Sequence, residues 1–204
     1  MCKKCNADIT ALKAVETTIR NCNKCSLRQT ATQPVVGRGS RYANVLFVGE
    51  APGKNEDIKG IPFVGTAGKI LDMLIADTTL SSESYYITNV VCCRPPDNRV
   101  PTDEEQAICS LFLKQTIYYI KPRIIVPLGA TATASIFDIY NIDHVNRVIM
   151  NSTHGILQYV TNIYITILPM YHPAALLYDK NLMHIAEQDF QLLQQLWDGL
   201  STGV

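Results

Sequence analysis

Short apolar runs alternate with segments of helical periodicity along the chain, and this alternation constrains the fold more than any other feature. Residues 44–49, 85–91 and 124–126 are apolar runs of strand length, a pattern typical of buried strands. Apolar residues at helical spacing predict helices over 8–20, around Ile70, Leu71, Leu74 and Ile75, over 102 to about 120, over 129–137 and over about 182–200. Strands that alternate with helices predict an α/β protein, namely a three-layer α/β/α sandwich with a central, mostly parallel sheet.

Local signals define two further elements. Thr102 and Glu105 have the spacing of a capping box, which predicts the start of the helix that runs to about Ile120. Residues 156–168 hold two β-rich runs around Thr161, which predict a hairpin. Because no repeat or low-complexity linker divides the chain, residues 1–204 are interpreted as a single domain.

The ends of the predicted strands are the expected place for a functional site. In open α/β sheets, ligands bind at the carboxyl ends of the strands. Glu50, Asn89, Gly129 and His172 each follow or end an apolar run. We therefore expect these four residues to converge on one rim of the sheet.

Composition limits the classes of protein that fit. Charged residues make up 18% of the chain and hydrophobic residues 47%, as in globular domains. The formal net charge is zero, which argues against coating DNA by charge alone but leaves room for a local basic patch. The first residues lack the apolar core of a signal peptide, and no apolar run reaches the roughly 18 residues that span a membrane. A cytoplasmic protein without membrane contact is expected.

The cysteines suggest a metal site. Seven cysteines, an odd number, fit poorly with a disulfide framework in a reducing compartment. Cys22 and Cys25 are separated by two residues in a turn, while Cys93 and Cys109 flank a proline-containing loop. Four thiolates suit either a zinc ion or a [4Fe–4S] cluster.

Two other interpretations of the cysteines remain open. Cys92, Cys93 and Cys109 could be ordinary core residues, since free cysteine is often buried. Cys2 and Cys5 form a rival ligand pair near the N-terminus. The spacing alone does not choose between these possibilities.

Polar residues of the strand-end loops have both structural and functional interpretations. The segment from Gly49 to Gly68, GEAPGKNEDIKGIPFVGTAG, could be a structural turn or a binding loop. Asn89 could cap the next loop or present a buried amide to a ligand. His172 precedes Pro173, a residue that can open a helix, so it could be structural or catalytic.

Taken together, four motifs point to a known family. GEAPG-x2-ED-x2-G-x-PFVG, TNVV-x-CRPP-x-NR-x-P, KP-x-II-x-x-LG and YHPAALL occur in this order. With the cysteine spacing they resemble family 4 uracil-DNA glycosylases, the iron–sulfur branch of that superfamily, from about Cys22 to Leu177. The resemblance implies a four-stranded parallel sheet between helices, uracil-containing DNA, single- or double-stranded, as the substrate, and action as a monomer. It also implies a [4Fe–4S] cluster held by Cys22, Cys25, Cys93 and Cys109.

The resemblance also implies a role in DNA repair, in which uracil is flipped out of DNA and its glycosidic bond is hydrolysed to leave an abasic site. For base recognition it implies that Phe63 stacks on the base, that Asn89 reads its edge, and that Glu56 lies near the base and restricts the room around C5. For the reaction it implies that His172 faces uracil O2 and that Glu50 with the Ala51 carbonyl holds the attacking water. Asn98 is implied as a further site residue. Cytosine would leave the hydrogen bonds of Asn89 unmade.

Contacts to the DNA backbone and stack are less specifically indicated. Leu176 or Leu177 could wedge into the gap left by the flipped base, although ordinary helix packing explains them equally well. Arg94, Arg99 and Lys69 are candidates for phosphate contacts on charge alone. Many relatives resemble one another in having arginine where this chain has Tyr178. The cluster is expected to order loops near the DNA, since hydrolysis needs no electron transfer.

Three alternatives fit parts of the pattern. The first is a sister branch of glycosylases with a different base preference, which would not need the acidic and asparagine-bearing motifs. The second is a non-catalytic DNA-binding or polymerase-associated module. The joint presence of His172, Asn89 and Glu50 argues against lost activity. The third is a zinc-stabilised structural protein, which would be colourless, whereas a [4Fe–4S] protein is brown.

Overall fold

The computed structural model describes residues 3–144 and 149–202. Its helices are α1 (Lys3–Arg20), α2 (Leu27–Thr30), α3 (Lys54–Lys59), α4 (Thr66–Ala76), α5 (Asp103–Ile120), α6 (Ala130–Tyr140) and α7 (Asn181–Thr202). Its strands are β1 (Arg38–Gly39), β2 (Val45–Gly49), β3 (Tyr85–Asn89), β4 (Ile124–Pro127), β5 (Gln158–Val160) and β6 (Ile165–Ile167). Short 3₁₀ turns occur at Pro96–Asn98, Met150–Ser152 and Ala175–Leu177.

The sheet is mixed. Its six strands follow the order β1-β3-β2-β4-β6-β5. The four central strands β3, β2, β4 and β6 are parallel to one another, while β1 and β5 pair antiparallel at the two edges. The expectation of a four-stranded sheet was therefore wrong. The edge strand β1 is only two residues long, too short to produce a recognisable period in the sequence, and β5 belongs to the predicted hairpin.

Helices cover both faces of the sheet, which confirms the three-layer architecture. Along β2, Leu46 and Val48 belong to a core cluster that includes residues of α1, α5 and α6. Val45 and Phe47 belong to a second cluster, with residues of α4 and α7. All four side chains are fully buried, which explains why the run is apolar throughout instead of alternating.

The local signals in the sequence also correspond to observed elements. Thr102 Oγ1 accepts a hydrogen bond from the Glu105 backbone N–H, and Glu105 Oε2 accepts one from the Thr102 N–H. This capping box begins α5, as predicted. The predicted hairpin is the antiparallel pair β5–β6. The glycine-rich loop after β2 contains α3, which the sequence analysis did not predict.

Among the described helices, none combines the length and the apolar character that a bilayer span requires.

Candidate active site

A cavity of about 1030 Å³ opens at the carboxyl ends of the central strands. Glu50 enters it directly after β2, Asn89 at the end of β3, Gly129 after β4 and His172 after β6. The structure thus brings together the four residues that were expected to share one rim. The reason is the parallel direction of these strands, which places all their carboxyl ends at one edge.

Asn89 presents an unpaired acceptor to this cavity. The residue is only 4% exposed, and its side-chain Oδ1 has no hydrogen-bond partner among the described residues. Buried polar atoms are normally paired, so this oxygen is available to a donor on a ligand. Gly49 lies opposite, where an added Cβ would run into Asn89 Oδ1 and the edge of the Phe63 ring. Glycine at this position therefore leaves room for the buried amide.

Phe63 supplies a flat wall. Its ring centroid lies 5.7 Å from that of His172, and the two ring planes are inclined at 32°. Its backbone has φ of +53°, a left-handed conformation that bulky residues rarely adopt. Gly68 permits this arrangement, because a Cβ at Gly68 would run into the Phe63 carbonyl oxygen.

His172 is a neutral hydrogen-bond donor. Its Nδ1 accepts the backbone N–H of Ala174 at 3.1 Å, so the ring proton of the neutral imidazole lies on Nε2. Burial lowers the pKa of His172 to about 4, and the negative charge of Glu56 acts in the opposite direction. The histidine is therefore neutral at physiological pH.

Glu50 is oriented by a residue that the sequence analysis missed. Thr131, in the first turn of α6, donates its hydroxyl proton to Glu50 Oε2 at 2.6 Å. Both residues line the cavity. The available signal was the position of Thr131 two residues after Gly129, which itself follows β4. A threonine at a helix start is so common that this signal alone does not indicate a site.

Glu56 lines the cavity but also has a structural function. Its Oε1 accepts the backbone N–H groups of Val64 and Gly65, at 2.9 and 2.7 Å. The carboxylate therefore holds the loop that follows Phe63. A role in limiting the space around a base stays a prediction.

The loop over residues 94–101, called the proline loop because it holds three prolines, contributes Asn98 and Arg99 to the cavity lining. Asn98 Oδ1 accepts a hydrogen bond from Arg94 Nε at 2.8 Å. Arg99 donates through both terminal nitrogens to Glu105, each at 2.8 Å, and its hydrogen bonds lower the pKa of Glu105 to about 2. This bidentate ion pair gives Arg99 a structural partner, and a phosphate contact by Arg99 stays a prediction.

Of the two leucines that follow the histidine motif, folding buries one and leaves the other exposed. Leu176 is 4% exposed and belongs to the core cluster on the α7 face of the sheet, whereas Leu177 is 46% exposed. Only Leu177 can therefore contact a bound polymer without rearrangement. The neighbouring Tyr178 is 90% exposed and also lines the cavity.

Five cysteines lie in or against one core cluster. Cys92, Cys93 and Cys109 are buried, and Cys22 and Cys25 are partly buried. Burial raises the pKa of Cys93 to about 12, and the charges of Cys109, Cys25 and Cys22 act in the same direction. The four thiols of the predicted ligand set are therefore close enough to influence one another. Cys92 interacts with Cys109 through its thiol.

The cysteine group is not arranged as a site for one ion. Across the described ranges, no three histidine, cysteine or acidic side chains converge closely enough to hold a single metal ion. The rival ligand pair falls outside the described residues, which exclude Cys2 and the side chain of Cys5.

The site is suited to an uncharged planar heterocycle. Such a ligand needs an aromatic face for stacking and fixed hydrogen-bonding groups at its edge. Phe63 provides the first, while Asn89 and the neutral His172 provide the second. Fold and site together define an α/β protein with a cavity for a planar heterocycle at the carboxyl edge of its sheet.

Comparison with known proteins identifies the family. The family described as the uracil DNA glycosylase superfamily matches residues 36–201, and the chain belongs to this superfamily. A type-4 uracil-DNA glycosylase of Archaeoglobus fulgidus is 41% identical over 180 residues, which are 87% of this chain and 89% of the relative. One of Sulfurisphaera tokodaii is 41% identical over 187 residues, 91% of this chain and 84% of the relative.

The sister branch is less similar. A type-5 uracil-DNA glycosylase of Pyrobaculum aerophilum is 32% identical over 106 residues, which cover 52% of this chain and 45% of the relative. Both the identity and the coverage are lower than for the type-4 relatives.

Proposed function

We propose that the protein is a uracil-DNA glycosylase of the iron–sulfur type, which flips uracil out of DNA and hydrolyses its N-glycosidic bond in base excision repair. The observation that carries this proposal is the buried, unpaired Oδ1 of Asn89 beside the neutral donor of His172. The type-4 relatives, which match over most of the chain, support the same conclusion.

Asn89 selects uracil by its hydrogen-bonding pattern. Its Oδ1 accepts the N3–H of uracil, and its amide nitrogen donates to O4. Cytosine has the reversed pattern and would leave both pairs unmade, at roughly 1–3 kcal/mol for each unpaired buried group. Phe63 stacks on the face of the base and adds no preference of its own, because every base has a flat apolar face.

His172 lowers the barrier to bond cleavage. When the bond between C1′ and N1 breaks, its electron pair passes to the uracil ring and negative charge develops on O2. The Nε2–H of His172 donates to that oxygen. A fixed donor is worth more as the anion forms than in the bound substrate, so it stabilises the transition state in particular.

Glu50 and the Ala51 carbonyl position the water that attacks C1′. Thr131 holds Oε2 of Glu50, which leaves Oε1 to accept a hydrogen bond from the water. The carboxylate also stabilises the positive charge that develops on the sugar. The water oxygen forms the new bond to C1′, and the proton it loses is accepted by Glu50 or by solvent.

Bound DNA contacts the protein around the mouth of the cavity. Leu177 fills the space left by the flipped base, because it is the exposed member of its pair. Arg94 and Lys69 are the basic residues proposed to contact phosphates. Asn98 orients Arg94 through their hydrogen bond, while Arg99 stabilises the proline loop through Glu105.

A [4Fe–4S] cluster bound by Cys22, Cys25, Cys93 and Cys109 fits this framework. The four thiols lie in or against one core cluster and influence one another. Four thiolates are the ligand set of a [4Fe–4S] cubane. When bound, it would cross-link the segments that carry its ligands.

The consequence of that cross-link is local order near the cavity. Cys93 lies four residues after Asn89, and Cys109 lies one turn after Glu105 on α5. Glu105 in turn binds Arg99 on the cavity rim and Ser26 beside Cys25. Ligation would therefore fix the rim of the cavity without taking part in the reaction.

The test is direct cleavage of a labelled oligonucleotide that contains one uracil, followed by alkaline scission of abasic sites. We expect scission at uracil and none with cytosine or thymine at the same position. Substrates with a single strand and with a duplex distinguish the preferred form of DNA. Absence of abasic sites with fully iron-loaded protein on both substrates would refute the proposed activity.

A further inference from the structure

The conformation of Phe63 needs an explanation, because an isolated aromatic residue disfavours it. The left-handed region brings Cβ close to the following carbonyl oxygen, and only glycine, asparagine and aspartate adopt it routinely. Phe63 has φ of +53° and is 6% exposed. Other parts of the chain must therefore hold it in place.

Arg38 contacts the backbone carbonyl groups of Pro62 and Phe63. It lies on the edge strand β1, paired with Ile87 of β3. Its Nε donates to the Pro62 carbonyl oxygen at 3.0 Å, and its Nη2 reaches the Phe63 carbonyl oxygen at 3.5 Å. The same Nη2 binds Asp72 Oδ1 of α4 at 2.6 Å, which orients the guanidinium.

Glu56 contacts the backbone amide groups of the two residues that follow Phe63. Its Oε1 accepts the N–H groups of Val64 and Gly65. A cation thus holds the carbonyl groups of residues 62 and 63, while an anion holds the amide groups of the next two residues. Hydrogen bonds to charged groups are about twice as strong as those between neutral ones.

We propose that Arg38 and Glu56 form a clamp that fixes Phe63 in its stacking position, so that Arg38 is a positioning residue for base binding. Arg38 is not one of the described residues that line the cavity. It acts through Phe63. The inference rests on the proposed function, since the ring is taken to stack on a flipped uracil.

The test is a double-mutant cycle of Arg38→Ala and Phe63→Ala, with the inhibition constant of free uracil as the measurement. Stacking of a base on an aromatic side chain changes binding by roughly 5- to 150-fold. We expect Arg38→Ala to weaken inhibition by uracil about tenfold and to lower the single-turnover rate. In the Phe63→Ala background, Arg38→Ala should have no further effect, because residues that act through one another are not additive.

Matched variants separate positioning from general damage. Arg41→Ala removes another arginine near β1, which binds Glu16 and not the Phe63 loop, and should leave uracil inhibition unchanged. Arg38→Lys, which retains a charged donor, should restore part of the binding. Gly68→Ala attacks the same conformation independently, because its Cβ would displace the Phe63 carbonyl, and should weaken uracil inhibition as well.

Amide hydrogen exchange gives a readout that does not depend on the base. Arg38→Ala should speed exchange at Val64 and Gly65, and Arg41→Ala should not. The proposal is overturned if Arg38→Ala weakens inhibition by uracil equally in the presence and in the absence of the Phe63 ring. It is also overturned if hydrogen exchange at the Val64 and Gly65 amides is unchanged. A parent protein that cleaves no uracil would refute the proposed function, whereas the clamp would still be judged by exchange.

Discussion

Replacing His172 with alanine is the sharpest test of the proposed mechanism. The variant removes a donor whose direction is set by one hydrogen bond, from the Ala174 N–H to Nδ1. Loss of one comparable donor in other enzymes lowers the rate by roughly 100- to 1000-fold, or about 2.7–4 kcal/mol. We expect a loss of this order in the single-turnover rate. Affinity for DNA should change little, because O2 carries little charge before the bond breaks.

The pH dependence tests the protonation state of the same residue. Burial lowers the pKa of His172 from 6.5 to about 4, so its neutral form persists throughout the range from pH 6 to 8. The pH profile of the parent's cleavage rate should therefore contain no inflection near pH 6.5 that is absent from the profile of His172→Ala.

The lowered pKa of His172 also makes the free energy of unfolding depend on pH, in a direction that follows from the shift. The folded pKa lies below the unfolded value, so protonation favours unfolding. Stability is retained above pH 6.5 and is withdrawn as pH falls from 6.5 to 4. The loss amounts to at most about 3 kcal/mol. Urea unfolding of the parent and of His172→Ala across this range measures it as a difference.

The kinetic assay uses enzyme in excess over a uracil oligonucleotide, with fluorescence anisotropy for DNA affinity. His184→Ala is the matched control, because His184 is an exposed histidine on α7 that does not line the cavity. A folded His172→Ala protein that cleaves uracil within about threefold of the parent would assign His172 a structural role at the turn before Leu176.

Three further predictions follow from individual contacts. Asn89→Asp should narrow the difference in cleavage rate between uracil and cytosine, because a protonated or water-bridged carboxyl can accept from the cytosine amino group; undiminished discrimination at full activity would exclude Asn89 as the reader. Cys109→Ser should remove the iron, about four atoms per chain in the parent, together with the absorbance at roughly 400 nm, whereas Cys92→Ser should retain both; equal iron loss would mean that the ligand set is wrong. Leu177→Ala should lower activity on duplex DNA more than on a single strand, where there is no stack to hold open; an equal loss on both would contradict the wedge.

The strands show which parts of the fold were predictable. Runs such as β2 and β4 are apolar because both faces of a central strand are buried, so each is visible as a local pattern. The edge strands β1 and β5 are defined by hydrogen bonds to β3 and β6 instead. The two residues of β1 carry no period of their own and were not predicted, whereas β5 was found as part of the hairpin at 156–168.

The candidate site was predictable for a related reason. Once the strands are parallel, residues such as Glu50 and Asn89 that end or follow them must meet at one edge. Thr131 and Arg38 were not predictable, because each acts through a hydrogen bond to a residue far away in the chain: 81 residues for Thr131 with Glu50 and 34 for Arg38 with Asp72. No spacing in the sequence encodes such a pair.

The sequence by itself determined the alternation of the central strands with the long helices, the motifs that carry the family resemblance, and the types of residue at the strand ends. Tertiary structure alone decided which of two adjacent leucines is exposed, that Arg99 is bound to Glu105, and that His172 is neutral with its proton on Nε2. The physical reason is that local periodicity follows from the burial of whole elements. By contrast, the exposure, hydrogen bonds and pKa of a single side chain depend on the groups that folding brings against it, and these come from several distant segments of the chain.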